Sequence, residues 1–154
     1  MKNLQCLLGF PSARLAHKVD LGLLVMRVGL GVMMMTHGVP KLLAGPETWG
    51  AVGGAMGNLG ITFWPTFWGF CAGCAEGVGG LFLALGLLFR PTVTVMIFTM
   101  IMAATQMFAS GKGLFGASHA MEVGLALTGL WITGPGYHSL DRLLFGNSKW
   151  WRFW

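Results

Sequence analysis

The stretch that decides the fold is LGLLVMRVGLGVMMMTHGVPKLL, residues 21–43. It contains Arg27, His37 and Lys41, but it is otherwise apolar over more than the ~20 residues that an α-helix needs to cross a bilayer. The stretch therefore predicts a membrane-spanning helix. Pro40 is placed to kink or end that helix near its last turn.

The composition of the whole chain indicates an integral membrane protein. Of its 154 residues, 55% are hydrophobic and 10% are charged, and the mean hydropathy is +0.67. A soluble domain carries about 25% charged residues, so this chain lacks the polar surface that a soluble domain needs. The length allows one domain with about four spans. We predict an all-α fold, an integral membrane four-helix bundle.

The predicted organisation has three parts. Residues 1–20 form a cytoplasmic N-terminal segment, residues 21–135 the transmembrane bundle, and residues 136–154 an amphipathic, aromatic interfacial tail. A short interfacial helix is expected at 49–59, between the first two spans. The predicted spans are residues 21–43, 64–89, 92–110 and 118–133.

The basic residues orient the chain in the membrane. An even number of spans places both termini on one side, together with a tight turn predicted at Arg90-Pro91. The other side carries only Lys41 and Lys112, and this imbalance favours cytoplasmic termini in a bacterial inner membrane. The net charge of +5 thus indicates topology rather than a nucleic-acid partner, and the N-terminus is expected to stay as part of the first span. The residues on the side of the termini are Lys2, Arg14, Lys18, Arg90, Arg142, Lys149 and Arg152.

Polar side chains within the spans mark the candidate site. An ionisable group at a helix centre costs about 2.5–3.5 kcal/mol on insertion scales, so such groups pair, face a wet cavity or take part in chemistry. Arg27 lies toward the cytoplasmic side, where it forms a structural ion pair or meets lipid headgroups. Two interpretations of the others stay open: a polar pocket open to the outer face, or interhelical pairs that fix the packing. The residues predicted in the outer half are His37, Lys41, Glu76, Gln106, His119 and Glu122.

Proton transfer is the chemistry that this set favours. A histidine near a carboxylate is a candidate general acid or base, so the candidate catalytic residues are His37, Glu76 and Glu122. The candidate ligand-binding residues are Lys41, Gln106 and His119. The sequence contains no residue spacing that would complete a set of haem or metal ligands, and it contains no nucleotide-binding loop. No haem, metal or flavin is therefore expected.

Cys71 and Cys74 lie three residues apart in CAGCAE, residues 71–76. On a helix they share a face, so they are candidate redox thiols. A reactive pair needs a cation or a helix N-terminus close by, and the βαβ context of thioredoxin-like proteins is missing. The alternative is that both are small buried residues that pack. Whether they form a disulfide stays open.

Three stretches carry a resemblance to a known family: RVGLGVMMMTHGVPKLL (27–43), AEGVGGLFLALGLLFRP (75–91), and the run from Glu122 to TGPGYHSLDRLL (133–144). In this order and spacing they resemble the DoxX family of small bacterial four-helix membrane proteins, over about residues 20–145. No motif of this resemblance contains either cysteine. The residues that it places at family motif positions are Arg27, His37, Lys41, Glu76 and Glu122.

The resemblance also implies a class of function. The DoxX family is related to the small subunit of thiosulfate:quinone oxidoreductase, and other members are linked to oxidative-stress and thiol-redox complexes. It implies a quinone-linked membrane oxidoreductase, or its membrane subunit, acting on a small sulfur compound such as thiosulfate with quinone as a substrate. Lys41 and His37 would then attract an anion or bind a quinone carbonyl, and Glu76 and Glu122 would transfer protons.

Two other functions fit the same residues. One is a non-enzymatic membrane scaffold in a redox or stress complex, in which the polar set holds helices together. The other is a small transporter or lipid-binding protein that uses the same pocket. The expected partners are the lipid bilayer, a redox partner subunit and a second copy of the chain. Nucleic acid is not expected as a partner.

Overall fold

The computed structural model describes residues 13–146, and within this range the chain consists of helices and connecting turns. The predicted all-α membrane bundle is confirmed. Lys2, Cys6, Lys149 and Arg152 lie outside the described residues. The elements are α1 (Ala13–Leu43), α2 (Pro46–Gly53), a 3-10 helix (Gly54–Leu59), α3 (Pro65–Leu85), α4 (Phe89–Ala109), α5 (Gly113–Thr133) and α6 (Leu140–Phe145).

Three helices in the described part of the chain are long and apolar enough to cross a membrane: α1, α3 and α4. The protein is therefore a membrane protein. Helix α5 has the same length as α3 and α4, 21 residues, but it is not among the three. Its residues His119 and Glu122 lower its hydropathy. A fourth span at residues 118–133 thus stays a prediction, as does the division of the chain into three parts.

The four long helices pack as a row that nearly closes into a ring. Helix α1 packs along α3, α3 contacts α4, and α4 packs along α5, whereas α1 and α5 meet at only a few residues. The core lies between these helices and is rich in methionine, whose flexible side chain fills irregular space. Its buried members are Met34, Leu83, Phe89, Val93, Met96, Met100, Ala120, Leu127 and Leu130.

Glycines bring the backbones of α1 and α3 into direct contact. A Cβ atom added at Gly38 would lie 2.1 Å from the backbone nitrogen of Gly77, and one at Gly31 would lie 2.5 Å from the carbonyl oxygen of Gly80. Lipid tails are as apolar as leucine, so helices in a bilayer associate through such close packing and not through the hydrophobic effect. This contact fixes the register of α1 along α3.

The turn between α3 and α4 lies at residues 86–88 rather than at Arg90-Pro91. Gly86 takes a left-handed conformation (φ 67°), its N–H donates to Leu83, and the N–H of Leu87 donates to Phe82. This is a Schellman motif, which ends helices at glycine. The arginine and proline therefore fall in the first turn of α4, where a backbone N–H has no intrahelical partner and proline costs little.

Other predicted boundaries also shift. The first span was predicted from residue 21, but α1 already includes residue 13, so the described part of the predicted N-terminal segment is helical. Pro40 lies inside α1, which continues to Leu43, the residue at which the first span was predicted to end. Two short helices over 46–59 occupy the place of the predicted interfacial helix at 49–59.

We expect Gly38→Ala to lower the free energy of unfolding by about 1–3 kcal/mol, because the new methyl group would overlap the backbone of α3. Gly29→Ala is the matched control, since nothing lies within 4 Å of a Cβ there and alanine favours a helix over glycine. Thermal unfolding of the purified protein in detergent, followed by helical circular dichroism, measures both. Equal stability of the two variants would contradict the contact between α1 and α3.

Candidate functional site

An ion pair joins α1 to α3 at the centre of the candidate site. The Nζ atom of Lys41 lies 2.7 Å from Oε1 and 2.5 Å from Oε2 of Glu76. The side chain of Glu76 is 3% exposed and that of Lys41 is 32% exposed. The contact of Gly38 with Gly77 lies beside this pair on both helices. The backbone contact therefore sets the distance between the two charges, and only the cation reaches the surface of the bundle.

Trp49 ties the end of α1 to the start of α3. Its indole N–H donates to the carbonyl oxygen of Lys41 at 2.8 Å, which is one of the carbonyls that a helix end leaves without an intrahelical partner. Its backbone lies against Gly69 so closely that a Cβ there would come 1.8 Å from the carbonyl oxygen of Trp49. Its ring packs on Phe70, with centroids 5.0 Å apart. Helix α2 thus buttresses the segment that carries Lys41.

His37 and His119 meet across the seam between α1 and α5. Their ring centroids are 5.4 Å apart, and both side chains are exposed. His37 precedes Lys41 by four residues, one helical turn, so it lies on the same side of α1. The seam therefore presents two imidazoles close to the ion pair.

Gln106 is held by a separate contact. Its Oε1 atom accepts a hydrogen bond from the side chain of Asn58 at 2.7 Å, and its amide donates to Ser110. The bond from Asn58 connects α4 to the 3-10 helix. Of the polar residues predicted for one pocket, Lys41 thus pairs with Glu76 and His37 with His119. Gln106 pairs with Asn58, which was not part of the prediction.

Glu122 lies away from the Lys41–Glu76 pair. The buried side of α5 is centred on Ala120 and Leu127, and a step of two residues from Ala120 rotates about 200° around the helix axis. Glu122 is accordingly exposed on the outer face of α5. The structure therefore does not bring this carboxyl group to Glu76, although sequence reasoning had grouped the two.

Cys71 and Cys74 also lie away from the ion pair. Both are free thiols of intermediate burial. They share a face of α3, but Glu76 follows Cys74 by two residues and so points about 200° around the helix from it. The thiols therefore do not stand at the mouth of the Lys41–Glu76 site. Within residues 13–146, no group of three or more His, Cys, Asp or Glu residues is placed to hold a metal ion.

Arg27 is fully buried near the opposite end of the bundle. One of its nitrogens, Nη2, donates to the carbonyl oxygen of His138 at 2.5 Å, while Nε and Nη1 have no hydrogen-bond partner. A Cβ at Gly86 would come 1.8 Å from Nη1, so only glycine leaves room for the guanidinium. The prediction was a structural ion pair. The hydrogen bond of Nη2 ends on a carbonyl oxygen, and an ion pair of Arg27 stays a prediction.

Asp141 is a residue whose role the sequence did not reveal. Its two carboxylate oxygens accept from the backbone N–H groups of Leu88 and Phe89, each at 2.8 Å. Its own N–H donates to the carbonyl oxygen of Gly86 at 2.9 Å. A buried carboxylate thus caps the N-terminus of α4 from α6, and such a charge is favourable at a helix N-terminus.

Asp20 has a comparable role that the sequence also did not reveal. Its carboxylate accepts from the backbone N–H of Tyr137 at 2.8 Å, which joins α1 to the segment before α6. Ser139 caps α6 by accepting from the N–H of Arg142. Asp20 and Asp141 therefore hold this end of the bundle by bonding to backbone groups far away along the chain.

The family model of DoxX matches residues 22–110, more than half of the chain. The chain belongs to the DoxX family. No curated protein and no solved structure matches it. The predicted family membership is thereby confirmed.

The DoxX match extends from the start of the apolar part of α1 to the end of α4. It includes both members of the ion pair, Lys41 and Glu76, and it also includes Arg27. The match ends before α5, so it gives no support to Glu122 or to the motif at residues 133–144. Both members of the ion pair thus lie within the part of the chain that the family model matches.

We expect Lys41→Met to destabilise this DoxX protein more than Glu76→Met does. The first change leaves a buried carboxylate without its partner, whereas the second leaves an ammonium that already reaches the surface. Removing one member of a buried pair costs about 3–5 kcal/mol, and partial exposure of Lys41 favours the lower end. The double variant should regain most of the loss. A double-mutant cycle of unfolding free energies measures the coupling, and additive losses would contradict it.

We expect Asp141→Asn to lower the unfolding free energy by about 1–2 kcal/mol, since an amide offers one acceptor oxygen to two backbone N–H groups. Glu47→Gln, an exposed change in the first turn of α2, is the control with the same loss of charge. Thermal unfolding compares the two. A loss of stability in Glu47→Gln without one in Asp141→Asn would contradict this prediction.

Proposed function

We propose that this DoxX protein is the membrane subunit of a quinone-linked oxidoreductase that acts on a small sulfur compound such as thiosulfate. The observation that carries the proposal is the Lys41–Glu76 pair, in which the carboxylate is buried and the ammonium remains accessible. A ligand can therefore approach the cation without first exposing the acid. A purely structural pair has no need of this asymmetry.

The chemistry assigned to the pair follows from the charge that quinone reduction creates. A quinone takes up two electrons and two protons, and coupling two thiosulfate ions through a new S–S bond releases two electrons. Lys41 would donate a hydrogen bond to the quinone oxygen on which negative charge develops, and Glu76 would hold the ammonium in place. His37 stands one turn away at the exposed seam, in the position of a proton donor. Glu122 faces elsewhere and has no part in this proposal.

The route of the quinone follows from the loose contact between α1 and α5. A quinone is dissolved in the bilayer, so it approaches a membrane protein from the side. The seam between these helices presents His37 and His119 at the bundle surface, beside the helix that carries Lys41. We therefore infer lateral entry at this seam.

The orientation belongs to the same proposal. The end of the bundle that holds the 86–88 turn also holds Arg14, Lys18, Arg90 and Arg142, whereas the opposite end has Lys112 in a loop. By the distribution of basic residues, we infer a bacterial inner membrane with the 86–88 turn and both termini in the cytoplasm. The ion pair would then lie in the outer half.

A non-enzymatic scaffold is the second candidate function. It is favoured by the geometry of Glu76, because both of its oxygens are occupied by one ammonium. In this alternative the pair fixes α1 on α3 while a partner subunit carries the chemistry. The two functions make opposite predictions for a variant that keeps the contact and removes the charges.

That variant is Lys41→Gln/Glu76→Gln, in which two amides can hydrogen-bond in place of the ion pair. We expect it to remain folded and to lose about 100-fold or more in the rate of thiosulfate-dependent quinone reduction, the scale of acid–base effects in enzymes. The rate is measured in membranes that contain the full-length protein and its native partners. His37→Gln should also slow the reaction, and Glu47→Gln should not.

The outcomes separate the two functions. An unchanged rate in the folded double variant would overturn the catalytic proposal and favour the scaffold. If Glu122→Gln abolished the reaction and His37→Gln did not slow it, the site would lie on the outer face of α5. Circular dichroism and thermal unfolding establish in each case that the variant is folded.

A further inference from the structure

A groove lies beside α6, at the end of the bundle opposite to the ion pair. Its volume is about 570 Å³. One part of its lining is polar and basic, formed by Tyr137, His138 and Arg142, and another part is apolar, formed by Leu85, Leu143 and Leu144. The groove thus has the two chemical surfaces that an amphiphilic molecule requires.

Basic and aromatic side chains contact one another in a row beside this groove. The guanidinium of Arg142 stacks on the ring of Tyr137 at 3.8 Å, and that ring is 5.3 Å from the ring of His138. His138 in turn lies 6.3 Å from His17 on α1, whose neighbours in sequence include Arg14 and Lys18. Stacking uses the face of the guanidinium and leaves its N–H edges available to an acceptor.

The carboxylates at this end are already occupied. Asp20 accepts from the backbone of Tyr137, and Asp141 accepts from the backbone at the start of α4. Among residues 13–146, Arg142 has no ion-pair partner and its side chain makes no hydrogen bond. The guanidinium N–H groups of Arg142 are therefore available to an anion from outside the protein.

We propose that this groove binds an anionic phospholipid. Its phosphate group contacts Arg142 and His138, and its acyl chain lies on Leu85, Leu143 and Leu144. Clustered basic residues at the end of a membrane bundle attract anionic headgroups, and exposed leucines beside them suit the first part of an acyl chain. The proposal is independent of the quinone chemistry assigned to the Lys41 end.

The test titrates the full-length protein, purified in a neutral detergent, with phosphatidylglycerol and with phosphatidylcholine of the same acyl chains. Native mass spectrometry counts the bound lipids. We expect preferential binding of phosphatidylglycerol, and about fivefold weaker binding in Arg142→Gln, the effect of one basic residue near a membrane surface. Lys112→Gln removes one exposed charge at the other end of the bundle and should bind as the unmodified protein does.

Two further measurements separate the sources of the phosphate and protect against a folding defect. Inorganic phosphate should not displace the lipid, because it has no acyl chain for the leucines. Leu144→Ser changes an exposed side chain and should weaken binding while Arg142 is intact. Circular dichroism of each variant reports its helix content.

Several results would overturn the proposal. These are equal binding of the two lipids, equal loss in Arg142→Gln and Lys112→Gln, displacement by inorganic phosphate, or full binding in Leu144→Ser. Binding that appears only after removal of residues 147–154 would also overturn it, since that segment would then be the occupant of the groove.

Discussion

Backbone-to-backbone contact between α1 and α3 is the constraint on which the rest of the structure depends. Gly31 and Gly38 on one helix meet Gly80 and Gly77 on the other, at distances that leave no room for a methyl group. Because a bilayer supplies no hydrophobic force between helices, this fit replaces it. The contact also decides which side chains become neighbours, and Lys41 reaches Glu76 for that reason.

The two ends of the bundle compensate their buried charges in different ways. At one end a cation and an acid from two helices neutralise each other, and the cation remains partly exposed. At the other end Arg27 and Asp141 bond chiefly to backbone groups of distant residues. Charges bonded to the backbone cannot be released without undoing a turn or a helix end. The first arrangement suits a site that exchanges partners, and the second suits a permanent closure of the fold.

Sequence reasoning recovered the helical class and the residues that are unusual in a membrane, but it did not recover their partners. Lys41 and Glu76 were recognised because charges are rare in apolar runs. That they pair depends on the register of α1 along α3, which hydropathy does not encode. Asp141 bonds to amides that lie more than fifty residues earlier, and no local pattern signals such a contact. Glu122 was grouped with the site but is exposed. Its spacing of three residues from His119 places the two on one face of α5, but it does not reveal which side of that helix is buried.

The turn between α3 and α4 shows how two local signals compete. Proline after arginine suggested the boundary, yet proline is also tolerated in the first turn of a helix. The glycine five residues earlier ended α3 because it alone takes the left-handed conformation without strain. Its missing side chain also makes space for Arg27, so one residue serves both the turn and the buried charge.

The helix lengths have a consequence for where the protein can reside. Helices α3 and α4 each have 21 residues, which corresponds to about 32 Å and matches a hydrocarbon core of about 30 Å. Helix α1, with 31 residues, is about 15 Å longer and can adapt to a thicker bilayer, whereas α3 and α4 cannot lengthen. Every additional ångström of thickness would then be unfavourable at both of these helices together. Bilayer thickness is thus itself a criterion that sorts this protein among membranes.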